Sequence, residues 1–169
     1  MHQPMTAKQI SRRTAASFDT CRDVVRELTV YGLVRCLNPN ARRSRLYWLT
    51  PMGVECQRRV CASDGRAVPE HFLPPIDWEM YGRVCYSHRG AIVKTLTEPM
   101  QPAAVKRRAR QRLSKLHMSA NNARDIFRLF RRWGIVEPVQ IRKKAHLRYR
   151  LSDHGLIFQQ LLHRAEALA

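Results

Sequence analysis

The chain repeats itself at a spacing of 102 residues. The segment from Ser17 to Gly53 aligns without a gap with the segment from Ser119 to Gly155, and nine of the 37 aligned pairs are identical. The identical pairs include Gly32/Gly134, Val34/Val136, Tyr47/Tyr149, Leu49/Leu151 and Gly53/Gly155. A repeat of this length indicates one structural unit that is used twice, so the fold is built from two related parts.

Each copy of the repeat has the signals of a helix followed by a β-hairpin. In the first copy Ser17 is a favourable helix N-cap, and Gly32 lies where a helix end favours left-handed backbone. Two short strand candidates, residues 33–37 and 45–49, flank a turn rich in Asn and Pro. Thr50 then caps another helix. The apolar residues at helical spacing predict buried stripes: Cys21, Val24, Val25 and Leu28 in the first copy, and Ala123, Ile126, Phe127 and Phe130 in the second.

The remaining segments read mainly as helices. A short helix capped by Thr6 precedes the first copy, and a basic helix over 102–116 precedes the second. Residues 78–96 are expected to be helical, with a break favoured by their two glycines. We therefore predict a mainly α fold with small β-hairpins (α+β) and two domains, 1–62 and 77–169, joined by a linker over 63–76.

The charge of the chain is strongly positive and unevenly distributed. The net charge is +18 and the isoelectric point is about 11.0. Lys and Arg outnumber Asp and Glu by 12 to 5 in residues 1–66 and by 16 to 4 in residues 102–169, but not in 67–101, where the numbers are 3 and 4. This pattern favours two polyanion-binding modules joined by a neutral connector. Arg outnumbers Lys by 25 to 6, which suits nucleic acid better than a membrane surface, although a GC-rich genome gives the same ratio.

Several functional classes lack their sequence signals. The apolar runs are far shorter than the roughly 20 residues that span a bilayer, and no signal peptide is evident, so we expect a cytoplasmic, nucleoid-associated protein without a membrane partner. The five cysteines include no C-x-x-C pair, which favours reduced thiols over a metal site. Without a nucleotide-binding glycine loop, paired carboxylates or a Ser/His/Asp constellation, we expect neither an enzyme nor a cofactor.

The order of the motifs resembles a winged helix-turn-helix. The first copy contains Leu28-x-x-x-Gly32-Leu33-Val34 and Tyr47-x-Leu49-Thr50-x-x-Gly53; the second contains Trp133-Gly134-Ile135-Val136 and Tyr149-x-Leu151-Ser152-x-x-Gly155. These motifs are similar to those of the MarR-like and related winged-helix transcriptional regulators, and the two copies cover most of the chain. The resemblance implies two winged helix-turn-helix domains in tandem.

The resemblance also implies that the helices after Ser17 and Ser119 enter the major groove of duplex DNA and that the hairpin tips act as wings. Independently, a helix fits that groove, where Asn can pair with adenine and Arg with guanine. The candidate groove-facing residues are Ser17, Phe18, Thr20, Arg22 and Arg26 in the first copy, and Asn121, Asn122, Arg124 and Arg128 in the second. The candidate wing residues are Arg42, Arg43, Arg45, Arg142, Lys143 and Lys144, and Lys106, Arg107 and Arg110 are candidate phosphate contacts on a basic helix face that also includes Arg108 and Lys115.

The expected function is therefore duplex-DNA binding by a transcriptional regulator, as a monomer with two readers or as a homodimer. The alternatives are an architectural or protein-docking subunit, for chromosome segregation or replication initiation, and RNA binding. One departure from the family concerns the extra helix that normally starts a winged helix. The second copy has it near 88–96, whereas the first has only residues 1–5 in front. The stretch 78–86, the helix over 156–168, a second subunit or a truncated start can account for this difference.

Overall fold

A computed structural model describes residues 1–112, 117–139 and 147–166 and has a mixed α+β fold, as predicted. The described residues form eight helices and two small antiparallel sheets. In chain order the elements are β1 (Met5–Thr6), α1 (Ala7–Thr14), α2 (Phe18–Val30), β2 (Val34–Cys36), β3 (Leu46–Leu49), α3 (Pro51–Ser63), α4 (Trp78–Val84), α5 (Ser87–Thr95), α6 (Pro102–Arg112), α7 (Ala120–Arg132), β4 (Val136–Val139), β5 (Arg148–Leu151) and α8 (Asp153–Glu166).

The chain divides into two compact units. The first unit contains Met1–Arg83 together with the end of the chain from Arg164, and the second contains Val84–His163. Residues 77–83 and the last described turn of α8 thus lie in the first unit, although the sequence assigned them to the second domain. Compactness does not establish independent folding, so the domain limits stay a prediction.

The first unit is built on a three-stranded sheet in the order β1-β3-β2. The predicted hairpin pairs Val34 with Leu49, and Met5 pairs with Tyr47 on the other side of β3. β1 was not predicted, because a strand of two residues is too short to show a period-2 pattern. The predicted stripe of α2 is also partly wrong: Val24 is 45% exposed, whereas Val25 is buried.

Two segments from the later part of the chain belong to the first unit. In α4, Tyr81 is fully buried, and a Cβ added at Gly82 would lie 2.2 Å from the Asn38 side-chain nitrogen, so this helix packs closely against the hairpin turn. From the end of α8, Glu166 lies 3.8 Å from Arg12. Both of the intrachain segments that the sequence offered as substitutes for the leading helix therefore contact the first unit.

The second unit contains α5, α6, α7, the two-stranded sheet β4-β5 and most of α8. α5 packs against α6 and α7. Four fully or nearly fully buried aromatic and aliphatic residues form much of the core: Ile92, Phe127, Phe130 and Phe158. The predicted helical segment over 78–96 is two helices, as expected, but the break lies at Cys85–Tyr86, while Gly82 and Gly90 lie inside α4 and α5. α5 lies where the sequence predicted the leading helix of the second copy.

Matched residues of the repeat make the same capping hydrogen bonds. The Ser17 hydroxyl accepts from the Thr20 amide at 3.0 Å, and the Ser119 hydroxyl accepts from the Asn122 amide at 3.0 Å. Each bond satisfies one of the amides that a helix N-terminus leaves unpaired. The starts of α2 and α7 are therefore fixed by the same local chemistry, as the sequence predicted.

The ends of these helices also match. Gly32 and Gly134 have φ angles of 68° and 66°, the left-handed backbone predicted for both. The hydroxyl groups of Thr50 and Ser152 each donate to the carbonyl oxygen of the corresponding glycine at 2.6 Å. One hydroxyl thus ties the return strand to the turn that ends the preceding helix in each copy.

The repeat extends beyond the segment in which the sequence showed it, but at a spacing of 95 residues. Gln3-Pro4-Met5 corresponds to Glu98-Pro99-Met100. Met5 pairs with Tyr47 of β3, and Met100 forms an isolated bridge with the matching Tyr149 of β5. This register was not predicted, because a match of three residues, two of them identical, does not rise above chance.

Candidate nucleic-acid interface

The exposed basic face of α6 is narrower than the sequence predicted. Val105 and Ala109 are buried, which leaves Arg107 and Arg110 exposed and Lys106 half-buried. Arg108 instead lies 3.0 Å from Glu98 in an ion pair. Arg108 is half-buried and also donates to the sulfur of Met100, so it is less available to phosphate than its exposed neighbours Arg107 and Arg110. Lys115 and the side chain of Arg112 lie outside the described residues.

The exposed side of α7 presents arginines in weak interactions. Arg124 donates to the Asn121 side-chain oxygen at 3.4 Å, and Arg128 lies 3.1 Å from Asp125. All four residues are exposed. Exposed pairs of this kind contribute about 0–1 kcal/mol, so either arginine can exchange its partner for phosphate or a base edge at little cost.

Asn122 is half-buried rather than facing outward as predicted. Its side-chain nitrogen lies 3.1 Å from Nδ1 of His88 on α5, an interaction that joins the start of α7 to the preceding helix. The amide is therefore engaged in positioning α7. Direct base contact at this end of the helix is left to Asn121, which is exposed.

In α2 the predicted groove-facing residues are exposed, but acidic side chains lie beside them, unlike the mainly basic surface of α7. Arg22 lies 3.2 Å from Asp19 and 3.3 Å from Asp23, so two carboxylates compete with any phosphate for it. Arg26 is exposed, and so is Phe18. The Ser17 hydroxyl, in addition to capping the helix, contacts the Thr20 hydroxyl at 2.8 Å.

The first hairpin tip is held by a buried asparagine. The Asn38 side-chain oxygen accepts from the Leu46 amide at 2.7 Å, and its nitrogen donates to the Ser44 carbonyl at 3.2 Å. This arrangement leaves Arg42 and Arg43 exposed in the turn. Arg45 is also exposed, and its Nε donates to the Ala41 carbonyl. The candidate residues of the second tip, Arg142, Lys143 and Lys144, lie outside the described residues.

Two exposed arginines at the end of α7, Arg131 and Arg132, were absent from the predicted site. They lie in the last turn, where positive charge also stabilises the helix dipole. Extending the helical period one turn beyond Arg128 would have found them.

Within the described ranges, no group of three or more His, Cys, Asp and Glu side chains is placed to hold a metal ion, and no helix has the length and apolarity needed to cross a bilayer. The chain matches no protein-family model, no curated protein and no solved structure in the three comparisons made. The interpretation of the basic surface therefore depends on its geometry and charge.

Proposed function

We propose that the chain binds duplex DNA as a tandem winged-helix transcriptional regulator, with the second unit as the main sequence reader. The observation that carries the proposal is the paired surface of α6 and α7. α7 contains four arginines and one aspartate, and α6 contributes exposed Arg107 and Arg110 beside it. A helix pair with this charge suits a phosphate-lined groove, in which one helix contacts the backbone and the next reads bases.

Within this proposal the exposed side chains have distinct roles. Asn121 and Arg124 near the start of α7 are suited to bidentate contact with adenine and guanine edges. Arg107 and Arg110 on α6 bind phosphates, which fix the register without specifying sequence. Arg42 and Arg43 on the first hairpin tip contribute further phosphate or minor-groove contacts.

The proposal is tested by fluorescence anisotropy with labelled duplex DNA over a salt series. With an estimated 6–10 phosphate contacts, we expect affinity to fall about 10³–10⁵-fold between about 50 and 200 mM salt. Arg107→Gln with Arg110→Gln should lower the magnitude of the salt slope by about 2. Arg58→Gln with Arg59→Gln is the matched control, because these exposed arginines lie on α3, outside the proposed surface of α6 and α7. No binding at low salt would refute the proposal, and preferential binding of single-stranded or folded RNA would replace it.

Selection of bound sequences from a random duplex pool distinguishes the two modes of reading. One asymmetric site is expected for a monomer that uses two readers, whereas a palindrome is expected for a homodimer.

A second candidate function, protein docking by the first unit, is favoured by the composition of α2. This helix has three acidic residues and two arginines. Val24 and Val30 on it are 45% and 79% exposed, and its C-cap residue Tyr31 is 61% exposed. Exposed apolar residues clustered in this way are a feature of interaction surfaces. If Arg22→Gln with Arg26→Gln leaves DNA affinity and the salt slope unchanged, this helix has no role in DNA binding and docking becomes the better account of the first unit.

A further inference from the structure

A cavity of about 420 Å³ lies within the first unit, and none of the described residues that line it belongs to α2. Its volume falls in the range typical of small-molecule sites. The apolar part of the lining includes Met5, Ile10 and Pro69, and the cationic part includes Arg13 and Arg66. None of the described residues that line it is acidic. Such a lining combines apolar surface with positive charge.

Arg13 is the central polar group of this cavity. Its guanidinium donates to Nδ1 of His2 and to the sulfur of Met5, the latter at 3.8 Å. Burial lowers the pKa of Arg13. Burial, followed by the positive charge of Arg13, also lowers the pKa of His2. A neutral His2 orients the guanidinium but does not balance its charge.

The repeat supplies an internal reference for Arg13. At the spacing of 95 residues it corresponds to Arg108, which likewise donates to a methionine sulfur, that of Met100, at 3.5 Å. Arg108 also has a carboxylate partner, Glu98, at 3.0 Å. The residue that corresponds to Glu98 in the first copy is the neutral Gln3, which is fully buried. The first unit thus has the duplicated arginine with an amide where the second has an acid.

We propose that the cavity binds a small organic monoanion, a carboxylate with a short apolar body. The carboxylate of the ligand pairs with Arg13, as the Glu98 side chain pairs with Arg108 in the second unit. The guanidinium fork of Arg13 matches a carboxylate in geometry and charge. Arg66 also lines the cavity but is paired with Asp64, so Arg13 is the lining arginine without a carboxylate partner among the described residues. Met5, Ile10 and Pro69 provide the apolar surface for the body of the ligand.

The test is isothermal titration calorimetry of the full chain with hexanoate, with hexanol and with inorganic phosphate as separate probes. The purification tag is placed at the C-terminus, because His2 lines the cavity. Hexanoate is expected to bind more tightly than either probe that has only the tail or only the charge. Arg13→Gln should weaken hexanoate binding about 10-fold or more, as expected for loss of a charge-assisted hydrogen-bond donor. Arg12→Gln is the matched control, since its exposed side chain faces Glu166.

A second pair of variants uses the repeat directly. Gln3→Glu places a carboxylate at the position that corresponds to Glu98, although Gln3 is buried and is not among the residues that line the cavity; it is expected to weaken hexanoate binding, but less than Arg13→Gln does. Glu98→Gln, made in the second unit, should leave hexanoate binding unchanged. Thermal unfolding of each variant separates loss of binding from loss of folding.

Three results would overturn the proposal. The first is that hexanoate at millimolar concentration gives no heat of binding with the folded wild-type chain. The second is that hexanol binds as tightly as hexanoate. The third is that folded Arg13→Gln protein binds hexanoate with unchanged affinity. Because none of these measurements involves DNA, they are independent of the proposed DNA-binding function.

Discussion

The helices α2 and α7 occupy matched positions in the two copies of the repeat but present opposite charge. They share an N-cap serine, a left-handed glycine after the helix end and the Arg-Asp pair Arg22-Asp23 or Arg124-Asp125. α2 has three acidic residues and two arginines, whereas α7 has one aspartate and four arginines. The residues that define the backbone are therefore shared by the two copies. The exposed positions differ in charge, and this difference affects which partner each helix suits.

The two units also differ in the partners of a matched arginine, Arg13 on α1 and Arg108 on α6. Each arginine contacts a methionine sulfur, but only Arg108 has a glutamate partner among the described contacts. In the second unit this charge is satisfied within the protein. In the first unit the guanidinium of Arg13 lines a cavity. The proposed anion site depends on this difference.

The largest expected effect tests whether the two copies share a backbone constraint. A Cβ added at Gly53 would lie 1.9 Å from the Leu33 carbonyl oxygen, and one at Gly155 would lie 2.2 Å from the Ile135 carbonyl oxygen. Because neither oxygen can move without displacing a strand, Gly53→Ala and Gly155→Ala should each lower the unfolding free energy by about 3 kcal/mol.

These glycine variants are measured by urea unfolding, with hydrogen exchange to locate the loss in one unit. Gly65→Ala is the control, because its φ is 63° but no atom lies within 4 Å of the added Cβ; it should cost about 1 kcal/mol. Similar losses from Gly53→Ala and Gly65→Ala would contradict the steric argument.

The next effect tests the charge difference between α2 and α7. Arg124→Gln with Arg128→Gln should weaken duplex-DNA binding by about 10–100-fold, because each arginine is exposed and only weakly held. Arg22→Gln with Arg26→Gln should weaken it less, since Asp19 and Asp23 already neutralise much of the charge. Anisotropy at one fixed salt concentration measures both. A larger loss from the α2 pair would reverse the assignment of the main reader.

A smaller effect separates base reading from positioning within α7. Asn121→Ala should reduce discrimination against substitution of one adenine by about 1 kcal/mol, the lower end of the range for a bidentate contact. Asn122→Ala should instead weaken specific and random DNA together, because the lost contact is with His88. Competition binding against single-base variants of the selected site makes the comparison. Equal loss on all sequences for Asn121→Ala would refute its base-reading role.

The smallest effect concerns protonation beside the cavity. The pKa of His2 is lowered from its ordinary value of 6.5, first by burial and then by Arg13. The folded state therefore binds fewer protons than the unfolded state, so this contribution to stability is present above pH 6.5 and is lost as the pH falls below it. The difference between the urea midpoints measured above and below that pH should be slightly smaller for His2→Gln than for the wild type. Bound hexanoate should raise the pKa of His2, which NMR can measure.

Much of the local structure could be predicted because single residues control it. Ser17, Thr50 and Gly32 were assigned as caps and a helix stop from their chemistry, and each makes the expected interaction. The α+β class and the two small hairpin sheets followed from the same signals. The tandem winged-helix assignment and the DNA-binding residues stay predictions.

The errors fall where a distant contact decides the outcome. Asn122 was predicted to face outward, but His88 is 34 residues earlier in the chain. Arg108 was assigned to the exposed basic face, but it is half-buried and contacts both Glu98 and the sulfur of Met100. Val24 fits the helical stripe of α2 by spacing, yet it is 45% exposed. The helical period predicts which face of a helix is buried, with an uncertainty of about one residue at the edges of that face. The element that packs against the helix then decides which of these edge residues are covered.

The sequence by itself determined that this chain contains a duplicated unit, where its helices begin and end, and that its charge suits a polyanion, because caps, left-handed glycines and net charge are properties of local composition. Only the tertiary structure decided that residues 78–83 and the end of α8 join the first unit, that β1 adds a third strand, and that Arg13 faces a cavity while Arg108 meets an acid. Those outcomes depend on which surfaces meet at long range in the chain, and short-range patterns carry no information about that choice.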